Sequence, residues 1–319
     1  MSGRTIASAR GVSMMSRAKS ARSVHDEPRE KRAVGEGGMI QDLRGRTAVI
    51  TGAGSGIGQG MAQAFAAEGM DLALCDIRAD ALDETLAAIA PHGVRALAVE
   101  MDVSDPASVA AAAARIDAGL GDVHVLCNNA GIAMHGVPVA EVAEADWDWV
   151  IGVNVRGVIN GVHAFLPLLR RHGGPAHIVN TASIGGFQVN GAFRTGPYSM
   201  TKYAVVALSE ALEQELAGTN VGVSVLAPAA VATGIFRSAR ARPARLGPGQ
   251  DNAAQLGLEE LIRDGWAPER VGRRVADAIR AGEFYIFTHV AMQIPVERRH
   301  ARIQAGFAAA ALWSAANLI

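Results

Sequence analysis

Thr47-Ala48-Val49-Ile50-Thr51-Gly52-Ala53-Gly54-Ser55-Gly56-Ile57-Gly58 is the stretch on which the fold turns. Its first five residues, rich in β-branched side chains, read as a buried strand. The glycine-rich turn then opens an apolar-periodic helix running to about Glu68. Strand, glycine turn and helix in that order are the setting in which a glycine pattern predicts nucleotide binding. Gly52 permits the tight turn. Gly56 and Gly58 are expected to let backbone and pyrophosphate approach, with Ser55 and Ile57 in the same turn, at a helix N-terminus that favours anions. The alternative is a tight strand–helix turn with no ligand. A second apolar run, Asp71–Asp76, ends in a carboxylate 18 residues beyond Gly58. Asp76 there can bind both ribose hydroxyls of an adenosine and would repel a 2′-phosphate, so NAD is expected rather than NADP. Arg78 partly offsets that charge.

Outward from this unit, short β-branched runs alternate with helical patterns, which predicts a parallel sheet covered by helices. The helices expected are Ala79–Ala90, Pro106–Ala118, one long helix Trp147–Arg171, Pro197–Leu216, a helix near Pro268–Arg280 and a C-terminal one from about Val296. The remaining strands are Arg95–Val103, Val123–Asn128, Ala176–Thr181, Gly222–Ala227 and Phe284–Phe287. Seven strands with helical crossovers make a single doubly wound α/β (Rossmann) domain, three layers deep, over residues 39–319. Its ligands should lie at the carboxyl ends of the strands. Asp102 and Val103, closing the third strand, would lie near the adenine; a helix-start acid before Pro106 is the alternative for Asp102. The long irregular stretch after Thr233, about 234–266, reads as a substrate lid. Its Arg237, Arg240, Arg242 and Arg245 either greet an anionic substrate or form a solvated face.

Composition narrows the function. A formal net charge of −1 gives no field for steering to nucleic acid. No uncharged apolar run reaches about 18 residues, so no membrane-spanning helix is predicted. The apolar end Phe307–Ile319 reads as a subunit contact. Cys75 and Cys127 lie in apolar runs as small core hydrophobes, which fits a cytoplasmic location. His124, His163 and His177 lack metal-ligand spacing, and no metal is expected. Residues 1–38, basic and rich in Ser and Ala before a charged and glycine-rich end, read as a disordered extension or as sequence upstream of a start near Met39.

Lysine is the rarest cation here: Lys19 and Lys31 stand in that extension, and Lys202 is the only lysine after it. Lys202 follows Tyr198 by four residues, one helical turn, so ammonium and phenol share a face. An ammonium beside a phenol stabilises phenolate and lowers its pKa from about 10, which makes a tyrosine usable in acid–base chemistry. A surface helix whose Tyr and Lys carry no chemistry is the alternative.

Thr51-Gly52-x-x-x-Gly56-Ile57-Gly58, Asn128-Asn129-Ala130-Gly131, Ser183 and Tyr198-x-x-x-Lys202 together resemble the short-chain dehydrogenase/reductase family over about residues 40–305. The resemblance implies hydride transfer between NAD(H) and a secondary alcohol or ketone. It implies Asn154, Ser183, Tyr198 and Lys202 as catalytic residues, with Asn154 holding a water that links Lys202 to solvent. It also puts Asn129, Ala130, Gly131, Thr233, Tyr198 and Lys202 against the cofactor. One motif departs: the family's usual Pro-Gly after the sixth strand is Pro228-Ala229 here, so the turn beside the nicotinamide should differ. Asp146–Asn154, Gly185-Gly186-Phe187 and Arg242-Pro243-Ala244-Arg245 look similar to bacterial dehydrogenases of benzylic alcohols in lignin-derived aryl ethers, which implies an aromatic or cyclic substrate. Family members are usually homodimers or homotetramers. Gly152, Gly157 and Gly161 would allow helices to approach closely in such a contact, or would pack on the sheet. The competing readings are a non-catalytic NAD(H)-binding regulator and a sugar-nucleotide epimerase. Intact Ser183, Tyr198, Lys202 and Asn154 argue against the first; the three-residue gap between Gly52 and Gly56 argues against the second.

Overall fold

Thr47–Thr51 (β1) is buried at every residue, as a strand covered on both faces must be. It lies at the centre of a seven-stranded parallel sheet of order β3-β2-β1-β4-β5-β6-β7. The other strands are Asp71–Asp76 (β2), Ala96–Glu100 (β3), Val125–Asn128 (β4), Ala176–Thr181 (β5), Val221–Ala227 (β6) and Tyr285–Phe287 (β7). The computed structural model describes residues 39–250 and 257–317, within one compact unit, Val34–Ile319. The extension expected over 1–38 lies outside the described residues, as does part of the expected lid. The chain runs outward from β1 to β3, then returns to β4 on the other side of β1. That reversal opens a crevice at the carboxyl ends of β1 and β4, where doubly wound sheets bind ligands.

The helices are Gly56–Ala67 (α1), Ala79–Ile89 (α2), Pro106–Leu120 (α3), Glu144–Ile151 (α4), Gly157–Arg171 (α5), Gly196–Glu215 (α6), Leu258–Arg263 (α7), Pro268–Ala281 (α8) and Gln293–Ala316 (α9). One core cluster places Phe65 of α1 and Ile279 of α8 on one sheet face; another places Phe165 of α5 and Ile116 of α3 on the other. The helix expected over 147–171 is present as the helical run Glu144–Arg171, within which a π-helical turn, Gly152–Arg156, joins α4 to α5. The stretch expected to be irregular holds α7 and two short 3₁₀ turns, Ile235–Ala241 and Ala244–Leu246. By length and composition the run Glu144–Arg171 could cross a bilayer. Its small residues instead meet the layer beneath. A Cβ on Gly161 would stand 2.0 Å from Asn128 Oδ1, and one on Gly157 2.8 Å from Val103. Both glycines thus serve packing inside the domain.

Helices α1 and α8 pack at glycines on both sides. A Cβ on Gly60 would stand 2.3 Å from the Pro268 carbonyl, and one on Gly272 would stand 2.3 Å from Gly60 O. Backbone cannot yield as a flexible side-chain end can. Gly60→Val is therefore expected to lower the urea midpoint by the equivalent of about 3 kcal/mol; an unchanged midpoint would mean the two helices separate freely. Both cysteines are free and buried, as expected, and burial pushes the Cys75 thiol up to about 12.

Candidate active site

A cavity of about 480 Å³ opens along the carboxyl ends of β1, β2, β4, β5 and β6. It begins at the glycine turn. Gly52 and Gly56 take φ of +66° and +56°, which a side chain would resist. Ser55 precedes α1 without a side-chain cap bond, and the first turn holds no acid. Its unsatisfied N–H groups therefore remain for an anion. Gly52, Ser55, Gly56 and Ile57 line the cavity; Gly58 does not. A Cβ on Gly58 would stand 2.1 Å from Gly52 O. The missing side chain lets α1 close onto the turn.

Asp76 lines the cavity from the end of β2. One carboxylate oxygen accepts from Gly54 N at 3.0 Å and the other from Arg78 N at 3.0 Å, which fixes its orientation. Asp102 and Val103 line the next portion. Asp102 accepts from Ser104 N and Oγ at 2.9 and 2.7 Å, while Asp105 caps α3 through Ala107 N. The helix-start role considered for Asp102 thus belongs to Asp105. At the end of β4, Asn129 N and Ala130 N donate to Thr51 Oγ1 at 2.9 Å, and Asn129 Nδ2 donates to Thr51 O at 2.9 Å. These bonds bind β4 to β1 and put Asn129, Ala130 and Gly131 on the cavity wall. Thr233 faces the glycine turn, its Cγ2 being 3.0 Å from where a Cβ on Gly56 would stand.

Ser183, Tyr198 and Lys202 meet on the opposite wall. Tyr198 and Lys202 share one face of α6, as their spacing predicts. Lys202 is buried and its Nζ donates to Thr181 O at 2.9 Å, standing 5.6 Å from the Tyr198 ring centroid. The ammonium is therefore tied to a carbonyl of β5. Burial pushes Tyr198 up, opposed by its hydrogen bond with Ser183. Ser183 Oγ also accepts from Gly185 N at 3.0 Å and makes a long 3.4 Å bond to Pro228 O.

Burial brings Lys202 down to about 8 from 10.5. Between those values the unfolded chain binds a proton that the folded chain lacks, so stability rises with pH across about 8 to 10.5. At neutral pH the full cost is present. Lys202→Met is expected to raise neutral-pH stability by about 1–3 kcal/mol and to flatten that slope. Urea unfolding at several alkaline pH values tests this; an unchanged slope would sink it.

Asn154 sits in the π-helical turn and does not line the cavity. Its Oδ1 accepts from Ile132 N at 2.8 Å, and its Nδ2 donates to Ile132 O and Thr201 Oγ1 at 3.0 Å each. π-Turns recur at functional sites because the extra residue redirects a side chain. Here that side chain ties the loop after β4 to α6. Asn154 Oδ1 and Lys202 Nζ are both 3.4 Å from the point where a Cβ on Gly131 would stand. The Pro228–Val231 turn lacks a positive φ, as its alanines require. Trp266 N donates to Ala230 O at 3.0 Å, and Ala232 N to Trp266 O at 2.9 Å.

His135, Phe187 and Phe193 all follow strand ends, and the structure separates them. His135 and Phe193 line the cavity, while Phe187 packs on Tyr285 and Phe287. The His135 ring lies 5.2 Å from the Tyr198 ring; burial pushes its pKa down to about 4, and it is neutral. Arg242 is not in a solvated face. It donates to Asp146 Oδ1 at 2.5 Å, with side chains 6 % and 3 % exposed, and lies over Trp149.

The match to the short chain dehydrogenase family model covers residues 46–244. The chain belongs to that family and is an oxidoreductase of alcohol and ketone groups that takes NAD(H). A C alpha-dehydrogenase of Sphingobium is 32% identical over 263 residues, 81% of this chain and 85% of its own. A 1-deoxy-11-beta-hydroxypentalenate dehydrogenase of Streptomyces avermitilis is 34% identical over 79% of this chain and 87% of its own. A solved short-chain dehydrogenase/reductase from Burkholderia phymatum in complex with NAD is 38% identical, with a TM-score of 0.79 over 84% of this chain and 97% of that one.

Proposed function

We propose that this chain transfers hydride between NAD(H) and an aromatic or cyclic secondary alcohol or its ketone, with Asn154, Ser183, Tyr198 and Lys202 as working residues. One observation carries the reading: Ser183, Tyr198 and Lys202 line the same cavity as Asp76 and the Gly52–Ile57 turn. The dehydrogenases among its relatives support an alcohol carbon as the reacting centre.

When bound, the nicotinamide supplies the hydride chemistry. Asp76 holds the ribose hydroxyls and disfavours a 2′-phosphate, which supports NAD over NADP. The open N–H groups of α1 take the pyrophosphate. Tyr198 accepts the alcohol proton in oxidation and returns one in reduction. Ser183, whose bond to Pro228 O is long, turns its hydroxyl to the substrate oxygen, where charge develops. Lys202 as a cation stabilises the Tyr198 phenolate and holds the nicotinamide ribose. Asn154 is a positioning residue, and its remaining carbonyl lone pair holds the water that connects Lys202 to solvent. The described parts of the stretch after Thr233, 234–250 and 257–266, serve as the substrate lid. The exposed apolar side chains of α9, among them Phe307, Leu312 and Trp313, support a homodimer or homotetramer, and the two free thiols support a cytoplasmic location.

A panel of aromatic and cyclic secondary alcohols, followed by NADH absorbance with NAD and separately with NADP, tests the reading. Reduction of NAD by at least one alcohol, with NADP slower, is expected. Tight NADH binding with no turnover of any alcohol or ketone would replace it with a non-catalytic regulator.

A further inference from the structure

We infer that Arg237 and Arg240 form an anion clamp at the cavity mouth and that the substrate carries a carboxylate. This rests on the proposed reading of the cavity as an alcohol or ketone site. Both arginines line the cavity. Their guanidinium groups converge: the point where a Cβ on Gly234 would stand is 3.2 Å from Arg237 Nη2 and 3.3 Å from Arg240 Nη2. Among the described residues neither forms an ion pair, whereas Arg242, two residues on, is neutralised by Asp146. Arg237 otherwise contacts the Phe236 ring, and Arg240 Nε donates to Arg237 O at 3.3 Å. Both side chains are exposed, so water screens their mutual repulsion, and an anion between them would be held by both. A guanidinium pair matches a carboxylate, which accepts two parallel N–H bonds.

The 3₁₀ turn that carries them is anchored at its middle and just beyond its C-terminal end. Ser238 Oγ accepts from Ala133 N at 3.1 Å, behind the loop after β4, and Arg242 holds α4 through Asp146. The pyrophosphate of the cofactor is the other source of the same anionic oxygens, because Thr233, next to Gly234, reaches the glycine turn. That group already has the open N-terminus of α1.

The test is calorimetric binding to the protein–NAD⁺ complex, which needs no turnover. The probes are 4-acetylbenzoate, 3-acetylbenzoate and 4-oxocyclohexanecarboxylate, each beside its methyl ester. At least one acid is expected to bind about tenfold tighter than its ester. That preference should fall when KCl is raised from about 50 to about 500 mM. In the variant R237Q/R240Q, acid and ester should bind alike, with NADH affinity and thermal midpoint unchanged. Three results would overturn the inference: no acid preferred over its ester in the unaltered protein, a preference that survives in the variant, or weakened NADH binding in the variant, which would give the arginines to the pyrophosphate. If the variant does not fold, the salt series on the unaltered protein decides alone. Turnover of neutral alcohols reports separately on the reading beneath.

Discussion

Tyr198→Phe is expected to reduce turnover of any accepted alcohol by about a thousandfold, while the NADH dissociation constant stays within about twofold. The argument is local. The substitution removes one oxygen and keeps the ring, so the packing beside His135 and the Lys202 bond to Thr181 O persist. What disappears is the hydroxyl that hydrogen-bonds with Ser183 and faces the cavity. No other group on that wall replaces it. Ser183 is too weak an acid. His135 is neutral, its pKa pushed down to about 4, and its Nδ1 is buried without a partner among the described residues. Stopped-flow NADH absorbance gives the rate, and fluorescence titration gives the affinity. A variant that keeps a tenth of the activity would remove Tyr198 from the chemistry. Burial raises the tyrosine pKa, so oxidation should also quicken as pH rises through the alkaline range and the phenolate forms.

Breaking the Arg242–Asp146 pair is expected to have the largest effect on stability. Both side chains are almost wholly buried, 96 positions apart in the chain, and Asp146 Oδ2 has no other partner among the described residues. Arg242 also donates to Gly247 O at 2.7 Å and Leu246 O at 3.0 Å, and lies 5.0 Å over the Trp149 ring. Removing either partner strands a buried charge. Asp146→Ala and Arg242→Met should each cost about 3–5 kcal/mol. The double variant should cost far less than the two singles combined, because no charge is left alone. A urea double-mutant cycle measures this, and additive losses would mean the pair is not coupled. Either single change should also raise KM, since the pair anchors the segment bearing Arg237 and Arg240.

Local pattern was enough for much of the frame. β1, β2 and β5 begin and end where their apolar runs do, because a strand buried on both faces needs continuous β-branched or small apolar residues. The glycine turn, Asp76 at a strand end, and the Tyr198–Lys202 pair on one helical face follow from spacing of two or four residues and from backbone freedom, all local properties. What lay beyond reach depended on which distant groups meet. A glycine such as Gly58 or Gly161 looks alike in sequence whether it admits a ligand, a neighbouring helix or a side chain of the sheet. The π-turn at Asn154 exists because the Ile132 backbone and Thr201 hydroxyl are there to receive its amide. The phenol pKa depends on burial and on the hydrogen bond with Ser183, both set by distant groups. Four arginines in nine residues carried the same sequence signal, yet Arg242 is buried against Asp146 while Arg237 and Arg240 converge at the cavity. Sequence alone determined the sheet and the cofactor class. Only tertiary structure decided which charges are neutralised and which remain free, because charge pairing is a matter of distance in space.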